Sequence, residues 1–196
     1  GVLHLSSGIF TAGDGAVIGG TGTLDVSGGT LTLADGAQTT ISNLAISGGM
    51  ATIDGTATVT NFTITGGFLN GAGDLVVDDS MIWTNGQMRG AGRTIVSSGG
   101  TLEINGTSTK SLGRTLRNEG QATYDGTGLT FGPTPGELGL IENAVGATFT
   151  VDGEGDFLYS NGGAFTNAGT LIKTGEGTTS VFYGVAFHNS GTVQVQ

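Results

Sequence analysis

A short unit recurs four times in the second half of this chain: a hydrophobic residue, any residue, an asparagine, then a glycine and an alternating run. The copies are Leu116-Arg-Asn118-Glu-Gly120 running on to Tyr124, Ile141-Glu-Asn143-Ala-Val-Gly146 to Val151, Phe165-Thr-Asn167-Ala-Gly169 to Lys173, and Phe187-His-Asn189-Ser-Gly191 to Val195. The asparagines lie 25, 24 and 22 residues apart. A repeat of that length, made of short strands and Gly/Asn turns, marks a solenoid in which each repeat is one coil. Equivalent residues of successive coils then stack about 4.8 Å apart, the spacing of neighbouring strands. Side-chain amides at that spacing can hydrogen-bond in a ladder. Asn118, Asn143, Asn167 and Asn189 are therefore expected to form such a ladder, with a structural role. Asn also tolerates the left-handed backbone of a sharp corner, and the following Gly relaxes the turn further.

The first 110 residues use a different idiom, Gly-Gly followed by an alternating strand. Gly28-Gly-Thr-Leu-Thr-Leu33, Gly48-Gly-Met-Ala-Thr-Ile53 and Gly99-Gly-Thr-Leu-Glu-Ile104 are the clear cases. Period-2 alternation reads as a strand with one buried face. The inward set is Leu24/Val26, Leu31/Leu33, Leu44/Ile46, Phe62/Ile64, Leu102/Ile104, Phe149/Val151 and Val193/Val195, with Phe165 and Phe187 stacked inside. Lys173 stands where Val151 and Val195 stand, so that strand is expected to end early. An antiparallel sandwich would also use many short strands, but it has no need of one Asn per two dozen residues in one strand context. The expectation is an all-β fold, a single-stranded parallel β-helix (β-solenoid) of about eight or nine coils at ~22 residues each. Residues 1–196 read as one domain, with an idiom change near 111. Both prolines fall in Gly132-Pro-Thr-Pro-Gly136, so a loop is expected to protrude over 131–138.

Composition narrows function more than it defines it. Glycine supplies 40 residues without a three-residue period, which excludes collagen. Hydrophobic residues make up 36% and charged ones 11%, the reverse of a disordered chain. No cysteine is present, so disulfides, thiolate metal sites and cysteine nucleophiles are excluded together. Net charge is −10, and residues 1–88 carry seven acids and no base. Nucleic acid is a poor partner for such a surface, and no apolar run approaches the ~20 residues of a spanning helix, so membrane insertion is not expected. Position 1 opens inside a strand-like pattern and the last residues stop inside one. This predicts an excerpt of a longer chain, with neighbouring repeats or end-to-end copies as partners.

Candidate chemistry is sparse. Asp78-Asp79 and Asp152-Gly-Glu154-Gly-Asp156 are the dense acidic groups. Sugar cleavage needs two carboxyls ~5–10 Å apart across a cleft, and the interleaved glycines read as a turn. Asp152, Glu154 and Asp156 are also a candidate calcium set, hard oxygen donors on a flexible loop; Gly71-Ala-Gly-Asp74 is a weaker one. Thr-x-Thr rows such as Thr56-Ala-Thr58-Val-Thr60 raise ice binding, but the rows break at Asp25, Glu103 and Gln194. Trp83, Tyr124, Tyr159 and Tyr183 could form a sugar platform, although their scatter favours core and corner packing. His4 and His188 read as isolated. No nucleophilic triad, phosphate loop or dinucleotide fingerprint emerges.

Gly28-Gly-Thr-Leu-Thr-Leu33, Phe165-Thr-Asn-Ala-Gly-Thr-Leu171 and Phe187-His-Asn-Ser-Gly-Thr-Val193 resemble the β-helix repeats of bacterial autotransporter passengers and filamentous-haemagglutinin-like exoproteins. The resemblance implies a right-handed coil, which the usual crossover preference also favours. It further implies secretion or cell-surface display, and an adhesive, matrix or stalk role, with no shared catalytic residues to carry over. The expected function is a non-enzymatic extracellular structural or adhesive module, with a glycan or cell-surface ligand as partner. The alternatives are a carbohydrate-binding or polysaccharide-cleaving β-helix and an ice-binding solenoid.

Overall fold

A computed structural model describes all residues, 1–196. It is all-β: 22 strands, every strand pairing parallel, and no helix. Strands pair with strands one to three places later in the chain, so the backbone winds as a solenoid. Three stacks of strands run along it. In the first stack, register positions Val2, Thr23, Asn43, Asn61, Ser80, Thr101, Gln121, Thr148, Thr170 and Thr192 lie one above another. That makes about nine turns. The second stack carries Phe10, Leu31, Ala51, Leu69, Met88, Leu112, Phe131 and Tyr159 in one row. The third carries Val59, Val77, Val96, Asn118, Asn143, Asn167 and Asn189.

Alternation does the sorting. Within each strand one set of side chains points into the lumen, where 37 residues form one continuous core. The inward pairs read from sequence occupy it, except that Val193, Val195 and Phe187 belong to the last coil and lie exposed. In the C-terminal coils the lumen is an aromatic column. Phe157 stacks on Phe182 at 4.4 Å and meets Tyr124 edge-on at 5.2 Å, while Phe149 meets Phe165 at 5.0 Å.

The two sequence idioms correspond to different ways of turning. Strands Val17–Val26, Gln38–Ile46, Ala57–Ile64 and Leu75–Trp83 pass from the third stack into the first without a break. Gln87–Val96 and Lys110–Asn118 pass from the second into the third. After Asn118 each stack has its own short strand. Gly28-Gly29, Gly48-Gly49 and Gly66-Gly67 all turn the chain from first to second stack, but Gly99-Gly100 turns it from third to first. One idiom thus serves two corners. The proline segment is confined to 132–138, since Phe131 ends strand Gly128–Phe131 inside the core. It lengthens one coil, and Glu137 folds back to within 3.7 Å of Arg89.

Lys173 corrects the expectation of a strand that ends early. It lies within strand Thr170–Lys173, in register with Val151 and Val195. Its ammonium reaches the turn, where Gly153 O and Thr178 Oγ1 each lie at 2.8 Å and Thr174 O also accepts. A flexible stem covers apolar surface while the charged head finds oxygen partners, so a lysine can stand in a valine row at the corner.

The stacked glycines are required by proximity. Gly67 has φ +67°, and a Cβ there would overlap the Gly49 carbonyl in the coil beneath. Gly67→Ala should therefore destabilise by more than the ~1–2 kcal/mol of a left-handed non-glycine residue. Gly13→Ala, where a Cβ meets nothing, serves as its control. Urea melts of both variants check this, and equal midpoints would contradict the glycine stack.

Candidate functional site

The four asparagines lie at the corner between third and first stacks, and their amides form one file. Asn118 Nδ2 donates to Asn143 Oδ1 at 2.9 Å, Asn143 Nδ2 to Asn167 Oδ1 at 2.7 Å, and Asn167 Nδ2 to Asn189 Oδ1 at 2.7 Å. Each Nδ2 also donates to the first-stack strand of the coil above: Thr148 O at 2.9 Å, Thr170 O at 3.1 Å and Thr192 O at 3.0 Å. Asn118, Asn143 and Asn167 are buried; Asn189, in the last coil, is exposed. One expectation fails here. No non-glycine residue has positive φ, so asparagine is not used for a left-handed corner. Its amide is what the corner needs, because it satisfies donors and acceptors where the strand ladder stops. Gly169 and Gly191 likewise keep negative φ or extended backbone; a Cβ on either would strike carbonyls of the preceding coil.

A shorter file escaped the sequence reading. Asn61 Nδ2 donates to Asn43 Oδ1 at 2.8 Å, and Asn43 Nδ2 to Gly22 O at 3.1 Å. Both residues open first-stack segments, and the 18-residue spacing between them is the available signal.

The acidic candidates separate. Glu154 and Asp156 line a polar recess of about 670 Å³ together with Asp125, Thr107 and Thr127, and none of its lining residues is hydrophobic. Asp152 lies outside it and accepts from the Thr174 hydroxyl at 2.9 Å. Asp156 is engaged as acceptor from Val181 N–H at 2.9 Å. No group of three or more His, Cys, Asp or Glu side chains converges to hold a metal, so the Asp152, Glu154, Asp156 calcium set is not assembled. Asp74, the weaker calcium candidate, is taken by Arg93, whose Nη2 lies 2.8 Å and backbone N–H 2.9 Å away. Burial works to raise the Asp74 carboxyl, but the Arg93 bonds and the nearby Arg114 charge outweigh it and hold the group below its ordinary range.

The aromatic candidates divide in two. Trp83 and Tyr124 are fully buried, whereas Tyr159 and Tyr183 are exposed, so the four make no platform. His4 is not isolated: its Nδ1 lies 2.9 Å from Asp25 Oδ2, and Ser47 Oγ donates to Asp25 Oδ1 at 2.8 Å. The hydroxyl faces the carboxylate and not the imidazole. This is the wrong order for a nucleophilic triad, in which the imidazole takes the hydroxyl proton. The three residues tie three successive coils together. Asp78-Asp79 lie exposed within Leu75–Trp83, and Asp78 accepts from Ser97 Oγ at 3.0 Å.

Buried cations are the feature that sequence reasoning missed. Where Gln87–Val96 spends residues 90–92 on the corner between second and third stacks, Lys110–Asn118 spends only Arg114. The Arg114 guanidinium fills the missing backbone, donating to Gly73 O at 2.9 Å, Arg93 O at 2.8 Å and Arg89 O at 3.3 Å. Burial pulls its pKa down to about 10, partly offset by the Asp74 charge, and it stays protonated at neutral pH. Lys110 is also buried, donating to Ser108 O at 2.8 Å and Gly106 O at 3.3 Å, and burial lowers its pKa. Both cations answer carbonyls that a turn leaves unpaired.

Comparison with protein families, curated proteins and solved structures finds no match.

Two measurements probe these sites. Asn167→Leu should cost ~1–3 kcal/mol by leaving buried partners of the amide unpaired; an unchanged melting temperature would contradict the file. Burial, with the Asp156 charge, raises the Tyr124 phenol well above its ordinary value, and its hydroxyl donates to Asp156 O at 2.9 Å. Its contribution is complete below the unfolded value of ~10 and is lost as pH rises toward the folded value. Tyr124→Phe should therefore lose stability less steeply than wild type between pH ~10 and ~11.5 in denaturant titrations. Parallel slopes would refute this.

Proposed function

We propose that this chain is a non-enzymatic structural or adhesive β-solenoid module of a bacterial surface or matrix protein, displayed outside the cell as in the autotransporter-like proteins it resembles. The observation that carries the reading is the outer face of the first stack. From Asn43 to Thr192 one row holds Asn43, Asn61, Ser80, Thr101, Gln121, Thr148, Thr170 and Thr192. The adjoining row holds Ala45, Thr63, Ile82, Glu103, Thr123, Thr150, Ile172 and Gln194, and Asp125 follows on the same side of strand Gln121–Gly126, so few charges interrupt the face. A stiff, regular, nearly neutral surface suits weak repeated contacts to a polymer such as a cell-surface glycan, where many small terms add through multivalency. Ice binding is disfavoured, because Ser80, Gln121, Ile172 and Gln194 break any Thr-x-Thr array.

Polysaccharide cleavage draws support only from the recess shared by Asp125, Glu154 and Asp156, which has no aromatic wall on which a sugar ring could stack. A glycan array read beside a reducing-sugar assay separates the readings. Weak binding to extended neutral glycans without release of reducing ends is the expected result. Release that disappears in Glu154→Gln would overturn the non-enzymatic reading.

A further inference from the structure

Seven buried side-chain polar atoms lack a hydrogen-bond partner, and three of them belong to charged groups: Arg89 Nε, Arg114 Nε and Glu137 Oε2. A buried charged group left unmet is costly, and each such atom asks for an explanation. All three gather where the proline segment crosses the corner between second and third stacks. A cavity of about 340 Å³ opens there, and Arg114 and Glu137 both line it. Gly90, Ala91 and Gly113 line it with small residues, and Leu138 adds a large hydrophobic one that stands 66% exposed.

The proline segment is an ordered strap. Both prolines fix their φ. Glu137 N–H donates to Thr134 O at 3.0 Å, and Asn161 holds Gly132 O through its side chain at 2.9 Å and its backbone N–H at 3.0 Å. The strap rests on Gly113, where a Cβ would stand 2.8 Å from Glu137 Oε2 and 3.1 Å from Pro133 Cδ. Gly113 is the register partner of Arg89. Its missing side chain leaves the Arg89 guanidinium facing Glu137, Nε to Oε2, at 3.7 Å. The same guanidinium lies over the Phe68 ring at 5.7 Å, which helps to hold it in place.

A gap of that length is too long for a hydrogen bond and suits one intervening oxygen. The oxygen must accept from Arg89 and donate to Glu137. A hydroxyl does both, whereas a carboxylate only accepts and an ammonium only donates. Arg114 adds a second buried cation, 1% exposed, whose other donors are spent on carbonyls. The ligand that answers this set carries several hydroxyls on an apolar frame that Leu138 and Ala91 can cover. The volume lies at the small end of the roughly 300–1,000 Å³ of ligand sites, so it takes one sugar ring and not a chain. Neither atom of the Arg89–Glu137 pair is open to solvent, so the Glu137 side chain, 29% exposed, must swing outward for entry.

We propose that the cavity beneath the proline strap binds a single neutral sugar residue, with one ring hydroxyl bridging Arg89 and Glu137 and Leu138 covering the C–H face of the ring. The Glu137 carboxylate accepts from that hydroxyl, and Arg89 donates to it. The site lies at a different corner from the first-stack face, and the two stand or fall separately. Sugar held on the face alone keeps that reading and loses this one; sugar held under the strap alone does the reverse.

The test is a titration of the 196-residue chain with the methyl glycosides of glucose, galactose and mannose, followed by proton–nitrogen correlation spectra. Saturable shifts at Ala91, Gly113, Glu137, Leu138 and the Arg89 side-chain Nε–H are expected with at least one glycoside, at an affinity on the order of millimolar for so small a ligand. Glu137→Ala should weaken that binding at least ~10-fold, and Glu137→Gln, which keeps an acceptor, should fall between it and wild type. If far-UV circular dichroism shows Glu137→Ala unfolded, Leu138→Ser gives the second reading and should also weaken binding. No glycoside-dependent shift at these residues up to ~100 mM would overturn the proposal and leave the gap to a water molecule only. Undiminished binding by a folded Glu137→Ala, or by Leu138→Ser in its place, would overturn it as well.

Discussion

Everything in this molecule depends on the parallel hydrogen-bond ladder that joins each coil to the next. It fixes the rise per turn, keeps equivalent residues in register, and so decides which side chains meet. Parallel pairing of strands two dozen residues apart has a high loop-closure cost, and a coil cannot bury its apolar face without a neighbour. The glycine-rich chain is tolerable because each coil repeats the same contact and the lumen is closed by continuous rows of Leu, Ile, Val and Phe. Stability in such a stack is a sum of neighbour terms.

Corners are where the ladder fails, and the chain answers each one differently. Stacked glycines such as Gly49 and Gly67 let turns approach without Cβ atoms between them. The asparagine file replaces backbone bonds with side-chain bonds over four successive coils. Arg114 replaces backbone outright, its guanidinium reaching carbonyls in two underlying coils. Lys110 and Lys173 do the same for single turns. These are one solution in three chemistries: a buried carbonyl must be met, by an amide, a guanidinium or an ammonium. An unpaired carbonyl at each corner of each coil would cost more than the packing returns.

The architecture was legible in the sequence because periodicity reports burial. Alternation in Thr30–Leu33 or Thr148–Val151 placed the inward residues, and the 22-to-25-residue spacing of the asparagines placed the coils. The corners were less legible. Gly28-Gly29 and Gly99-Gly100 look alike in sequence but turn different corners, since a glycine pair states only that the chain bends. Lys173 interrupts an apolar row and reads as a break, and Arg114 stands out by no spacing; both bond mainly to backbone atoms, which leave no mark on sequence. The pairing of His4 with Asp25 was hidden for the same reason, being one coil removed. The acidic trio is divided in the fold, Glu154 and Asp156 lining one recess while Asp152 lies outside it and accepts from Thr174, a separation that spacing alone does not reveal.

The coil geometry is most directly tested by nuclear Overhauser contacts between backbone protons of residues one turn apart. The account predicts a parallel series linking Phe149 to Leu171 and Leu171 to Val193, accompanied by side-chain amide contacts from Asn143 to Asn167. Antiparallel contacts between strands adjacent in sequence, such as residues 148–151 against 156–159, would contradict it.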